Sequence, residues 1–170
     1  TTVSTGVQDT FTLSLNSGTY LWNVLCYDSN GNYSFSAANY TVFVDSIEPG
    51  INLNAPINGY NTTDTSVNFI WTVIDNIATS MVCNLTLDSV VNVYKLSVVN
   101  GTPVNYTLSG LNDGNYDWNI SGVDNASNMN TSETRSFTID LLDPVVSLDL
   151  ANDTWQQSGT VDFQYTATDS

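Results

Sequence analysis

The chain has 170 residues with two Lys+Arg, 17 Asp+Glu and no His, a formal charge of -15 and a pI near 4.1. Two basic residues, Lys95 and Arg135, cannot build the cationic surface that nucleic acid or an anionic membrane requires. The lack of histidine removes Ser-His-Asp and Cys-His catalysis and His-ligated zinc. Charged residues make up 11% and hydrophobic ones 41%, a globular composition rather than a disordered acidic one. Asn, Ser and Thr together supply 63 of the 170 residues, as is usual for proteins outside cells. No apolar run reaches the roughly 18 residues of a membrane span, and the opening TTVSTGVQDT lacks signal-peptide character, so a secreted protein would be represented here by a mature or excised piece.

In chain order, LNSGTYLWNVLCYDSNGN at 15–32 comes first, and it returns as LNDGNYDWNISGVDNASN at 111–128. Gly18, Tyr20, Trp22, Asp28 and Asn32 thereby align with Gly114, Tyr116, Trp118, Asp124 and Asn128. A linker bounded by Asp45 and Pro49 follows, and Asp140 and Pro144 repeat it; Val67, Phe69 and Asp75 likewise recur as Val161, Phe163 and Asp169. The repeat is about 95 residues, a usual size for one small domain. The chain therefore divides into 1–45, the tail of one repeat with strands E to G; 46–140, a complete repeat; and 141–170, the head of another with strands A and B.

Within 46–140 the hydrophobic period is two. Val67, Phe69, Trp71 and Val73 alternate with polar neighbours, as do Met81, Cys83, Leu85 and Leu87. With segments near 51–55, 90–98, 104–108, 115–122 and 134–139, this gives about seven strands separated by Asn, Asp, Gly and Ser turns, and an all-β two-sheet sandwich.

Leu111-x-Asp113-Gly114-x-Tyr116-x-Trp118 resembles the tyrosine corner of immunoglobulin-like and fibronectin type III-like domains, in which the phenol bonds back to upstream backbone. Leu15-x-x-Gly18-x-Tyr20-x-Trp22 repeats it, and Trp118 stands where antibody domains place their second Cys. More closely, the pattern is similar to the tandem Ig-like repeats of large archaeal and bacterial surface proteins: S-layer-like proteins, stalks, filaments and adhesins. That resemblance implies a structural, non-catalytic, extracellular protein at the cell surface, with a carbohydrate- or protein-binding adhesin module as the alternative. In such repeats an inward Cys on strand C commonly faces one on strand F; the positions here hold Cys83 and Gly122, so Cys83 and Cys26 are both expected to be unbridged.

Carboxylates gather where consecutive domains meet. Asp45 and Glu48 in the linker should approach Asp75, Asp124 and Asn128, and Asp140, Asp143 and Asp169 repeat the supply at the next joint. Such hard oxygen donors suit Ca²⁺, although no cofactor is required and the same acids could simply make side-chain turns or sit in solvent. Asn-x-Ser/Thr sequons begin at Asn32, Asn39, Asn61, Asn84, Asn100, Asn105, Asn119, Asn125, Asn130 and Asn152, about twice the chance number, and glycan is expected on several. Tyr33, Tyr60 and Tyr94 would be the aromatic platform of an adhesin. The partial repeats cannot bury their own cores, so self-association into a linear polymer, or continuation of a longer array, is expected. In the polymer, Val161, Phe163 and Tyr165 pack on Phe11, Leu13, Trp22 and Val24 of another copy.

Overall fold

The computed structural model describes residues 6–148, 155, 157, 159–160 and 162–169. Among the described residues every regular element is a strand, and no helix is long and apolar enough to cross a membrane. Residues 50–139 form two facing sheets. The smaller has β5 (Gly50–Ala55), β7 (Val67–Ile74) and β10 (Val104–Leu108) in the order β10-β7-β5. The larger has β6 (Tyr60–Thr62), β8 (Ser80–Leu87), β9 (Val90–Val99), β11 (Gly114–Val123) and β13 (Arg135–Ile139) in the order β6-β13-β11-β8-β9, with β12 (Met129–Thr131) beside β11. All pairs are antiparallel except β6 with β13. The segments after Pro49 thus serve both sheets, β5 closing one and β6 the other.

The alternating side chains of these strands meet between the sheets. Phe69, Trp71, Leu85, Trp118, Ile120, Phe137 and Ile139 are at most 1% exposed. Phe69 packs edge-on against Trp118 and Phe137, with centroids 5.0 and 5.8 Å away. Each such side chain contributes about 1.5–3 kcal/mol by leaving water. In β9 the buried positions are Val93 and Val98, an odd spacing that period two does not allow. The reason is a bulge: Lys95 has φ 54°, the register against β8 slips, and Asn84 Oδ1 accepts the displaced Lys95 N–H at 2.8 Å.

The flanking segments contain pieces of the same pattern. β1 (Gly18–Trp22) pairs with β4 (Tyr40–Val44), Gly18 opposite Val44 and Trp22 opposite Tyr40. Their aligned positions in the central sandwich pair alike, Gly114 with Ile139 and Trp118 with Arg135. β2 (Leu25–Tyr27) and β3 (Tyr33–Phe35) set Cys26 opposite Ser34, as Gly122 lies opposite Asn130. β14 (Val145–Leu148) and β15 (Tyr165–Thr168) set Leu148 opposite Tyr165, as Leu53 lies opposite Trp71.

One expectation is corrected. No strand E forms in the first segment: residues 8–16 carry no strand, because strand E pairs strand B, as β10 pairs β7, and no B strand lies beside them. Burial also differs between aligned positions. Trp118 and Phe137 are 0% and 1% exposed, whereas their counterparts Trp22 and Val42 are 44% and 38% exposed, because among the described residues no second sheet covers β1 and β4.

Both tyrosine corners have the same bond. Tyr116 Oη donates to Asn112 O at 3.0 Å and accepts from Asn112 N at 3.1 Å, while Tyr20 Oη donates to Asn16 O at 3.0 Å. The Tyr116 ring stacks on Phe137, 5.1 Å between centroids.

Candidate metal centre

Strand direction brings three acidic residues to one pole of the sandwich. β7 ends at Ile74 beside the start of β5, since Gly50 pairs with Ile74; β11 ends at Val123 beside the start of β8, since Val82 pairs with Val123. Asp75 follows the first end, Asp124 the second, and Asp45 lies five residues before β5. One carboxylate oxygen from each of the three lies within 4.8 Å of the others.

Each side chain is held by its own loop. Asp75 Oδ1 accepts the N–H groups of Ile77 at 2.9 Å and Ala78 at 2.7 Å. Asp124 Oδ1 accepts those of Ala126 and Asn128, both at 2.8 Å, and its Oδ2 takes the Asn128 side-chain amide at 2.7 Å. Asp28 makes the same turn with Asn32, whose amide, with the local backbone N–H groups, holds the Asp28 carboxyl below the ordinary carboxylate range. Asp45 Oδ1 accepts Ile47 N at 3.1 Å. The linker is sewn to the same pole: Asn128 Nδ2 donates to Asp45 O at 3.3 Å, Asn130 Nδ2 donates to Pro49 O at 2.9 Å, and Pro49 is buried. A cleft of about 390 Å³ opens here, lined by Phe43, Asp45, Ile77, Ala78, Thr79, Asn125 and Ala126.

Three like charges at this spacing repel by about 3 kcal/mol per pair at an effective dielectric near 20. Neither basic side chain of the protein offsets them. Arg135 Nε pairs with Glu133 at 2.8 Å, and Lys95 Nζ lies 5.1 Å above the Tyr94 ring. One acceptor is left over: Asp75 is 8% exposed and its Oδ2 is buried with no hydrogen-bond partner.

Of the acids singled out from the sequence, Asp45, Asp75 and Asp124 come together, with Asn128 bridging two of them. Glu48 does not join them and is exposed. Among the described residues no such group forms around Asp140, Asp143 and Asp169.

Asn100 changes role. Its Nδ2 donates both hydrogens, to Asp75 O at 2.7 Å and Ala78 O at 2.8 Å, and its Oδ1 accepts Asp75 N at 3.1 Å. A glycan on that nitrogen would break the clasp that holds Asp75. The Asn100 sequon concealed this; the following Gly101, at φ 70° and donating to Val73 O, was the signal of a tight turn. Asn32, Asn39, Asn61, Asn105 and Asn125 are exposed; Asn84, Asn119 and Asn130 are half-buried, with side-chain oxygen or nitrogen already bonded; Asn152 lies outside the described residues. Phe11, Leu13, Trp22 and Val24 are exposed and line one hollow of about 670 Å³; Phe163 and Tyr165 are exposed, and Val161 lies outside the described residues. Tyr33, Tyr60 and Tyr94 stand on three separate strands, β3, β6 and β9.

Cys83 is buried and unbridged, directly opposite Gly122, and burial pushes its thiol up to about 11, partly offset by the Trp71 indole beside it. Cys26 is exposed and unbridged.

Comparison with known proteins gives two kinds of likeness. Residues 58–141 match the family described as Bacterial Ig-like domain. No curated protein matches the chain. Among solved structures it is similar to the PKD domain of an M14-like peptidase from Thermoplasmatales archaeon SCGC AB-540-F20, at 14% identity and TM-score 0.43, covering 54% of this chain and 92% of that one. It is also similar to the fibronectin(III)-like modules of Clostridium thermocellum CbhA, at 18% identity and TM-score 0.45, covering 74% of this chain and 64% of that one. With β10 on one sheet, β8, β11 and β13 on the other and a tyrosine corner between β10 and β11, residues 50–139 have the two-sheet arrangement of an Ig-like sandwich.

Proposed function

We propose that this protein is an extracellular structural element, a tandem Ig-like array of about 95-residue repeats that forms or decorates a cell-surface filament, stalk or S-layer. The observation that carries this reading is the shared strand register. Aligned residues pair identically in β1–β4 and β11–β13, and again in β5–β7 and β14–β15. The role is mechanical: strand hydrogen bonds and the aromatic core resist extension, and Pro49 and Pro144 restrict the linkers. Net charge of -15, with glycan on exposed sequons, keeps neighbouring arrays apart.

The open faces need partners of their own kind. β1 and β4 present Trp22 and Val42, and β15 presents Tyr165, at positions whose counterparts are buried in the central sandwich. The fitting occupant is the complementary half of an Ig-like sandwich, supplied head to tail by another copy. Sedimentation and electron micrographs of the protein test this. Concentration-dependent growth into linear particles, abolished by Trp22→Asp, is the expected result. Monomers at all concentrations would overturn the polymer, and monomers that bind a glycan array would favour the adhesin module instead.

A further inference from the structure

We propose that Asp45, Asp75 and Asp124 bind one calcium ion, which fastens the linker to the pole of the central sandwich. The three carboxylates come from three separated parts of the chain and have an oxygen each within 4.8 Å of the others. Oxygen ligands at 2.3–2.6 Å from Ca²⁺ lie up to about 5 Å apart, a separation that each pair of the trio meets, so a small inward movement of the side chains closes them on one ion.

The cluster alone would not suffice, since each aspartate also caps its own turn. The second observation is Asp75 Oδ2, an acceptor on a side chain 8% exposed, buried with no donor among the described residues, while Arg135 pairs with Glu133 and Lys95 lies over Tyr94. A native fold rarely leaves a buried carboxylate oxygen unmatched, and a single partner that meets it together with the Asp45 and Asp124 carboxylates carries positive charge. An amine would meet one or two of them; a hard divalent cation meets all three. The turns strengthen the case by occupying the Oδ1 atoms of Asp45, Asp75 and Asp124 with backbone N–H groups, which fixes each carboxylate in direction before the ion arrives. Ca²⁺ suits the site better than Mg²⁺, because ligands drawn from a linker and two loops depart from the strict octahedron Mg²⁺ demands.

The site consists of one linker residue and two loop residues of the following domain, so binding joins the linker to that domain. Without calcium the linker is tied to that pole by the Asn128 and Asn130 bonds to Asp45 O and Pro49 O and by the burial of Pro49. The ion thus sets the stiffness of the joint, which rests on the structural reading above.

The test is calorimetric titration of the chelator-treated, desalted chain with CaCl₂ and with MgCl₂, with thermal unfolding followed in parallel. One saturable site for Ca²⁺ is expected, half-saturated on the order of 0.1–1 mM as in extracellular modules, with a higher Tm and weaker binding of Mg²⁺. Asp75→Asn keeps an oxygen for Ile77 and Ala78 and so keeps the loop, yet should weaken calcium binding at least tenfold. Asp45→Asn, on the linker, should do the same without touching the core. Asp143→Asn should leave affinity unchanged. No heat and no Tm change for the unaltered chain would overturn the proposal, as would equal losses in all three variants, which would mark a diffuse effect of net charge. Failure to bind calcium in a protein that still assembles into linear particles would sink the ion and leave the array standing.

Discussion

Replacing Tyr116 by Phe removes a single oxygen and leaves the ring stacked on Phe137 at 5.1 Å. That oxygen makes two bonds to one residue, donating to Asn112 O at 3.0 Å and accepting from Asn112 N at 3.1 Å. A typical intramolecular hydrogen bond contributes about 1 kcal/mol net, and Asn112 is exposed, so water partly replaces what is lost. The expected cost is about 1–2 kcal/mol, which for a domain of this size lowers Tm by roughly 4–16 °C. Urea unfolding followed by the fluorescence of the buried Trp71 and Trp118 reads the change directly. Tyr20→Phe is the internal comparison. Its bond to Asn16 O has the same geometry, but Trp22 and Val42 beside it are solvent-exposed, so this substitution should leave the main unfolding transition within about 0.5 kcal/mol of the unaltered chain. If Tyr116→Phe unfolds with the unaltered midpoint, the corner does not support the sandwich. If Tyr20→Phe costs as much as Tyr116→Phe, the first segment unfolds as one unit with the central domain, and the distinction between closed and open sheets fails.

Asn100→Ala should destabilise by about 2–4 kcal/mol, because three backbone groups around Asp75 and Ala78 lose their partner at once; chemical denaturation measures it. Mass spectrometry of native protein should find the Asn100 peptide bare even where exposed sequons such as Asn61 and Asn105 carry glycan. A thiol reagent at neutral pH should label Cys26 within minutes and spare Cys83 until the protein unfolds. The Cys83 thiol also fixes a direction with pH: its folded value near 11 lies above the ordinary 9.0, so its contribution is complete below pH 9 and is lost as pH rises toward about 11. Cys83→Ala should flatten that alkaline decline in denaturation midpoints.

The Ig-like architecture was legible because its signals are local. Alternation of Val67, Phe69, Trp71 and Val73 sets which face of β7 is buried, and the Gly114-x-Tyr116-x-Trp118 run fixes the corner whatever surrounds it. The repeated segments also carry their pairing in their own turn and strand residues, so β1–β4 adopts the register of β11–β13 without its neighbours. The grouping of Asp45, Asp75 and Asp124 was half legible: strand direction sends linker and loops to one pole, but which acids meet depends on backbone paths of individual loops, and Glu48 is left outside. Sequence pattern could not separate Trp22 from Trp118, since both occupy the same place in the same motif. Burial belongs to the partner sheet and not to the residue, and only the assembled sandwich supplies that sheet to one of them. Asn100 shows the same division, for the triplet Asn-Gly-Thr reads as a surface acceptor until the turn around Asp75 closes on its amide and uses every hydrogen it has.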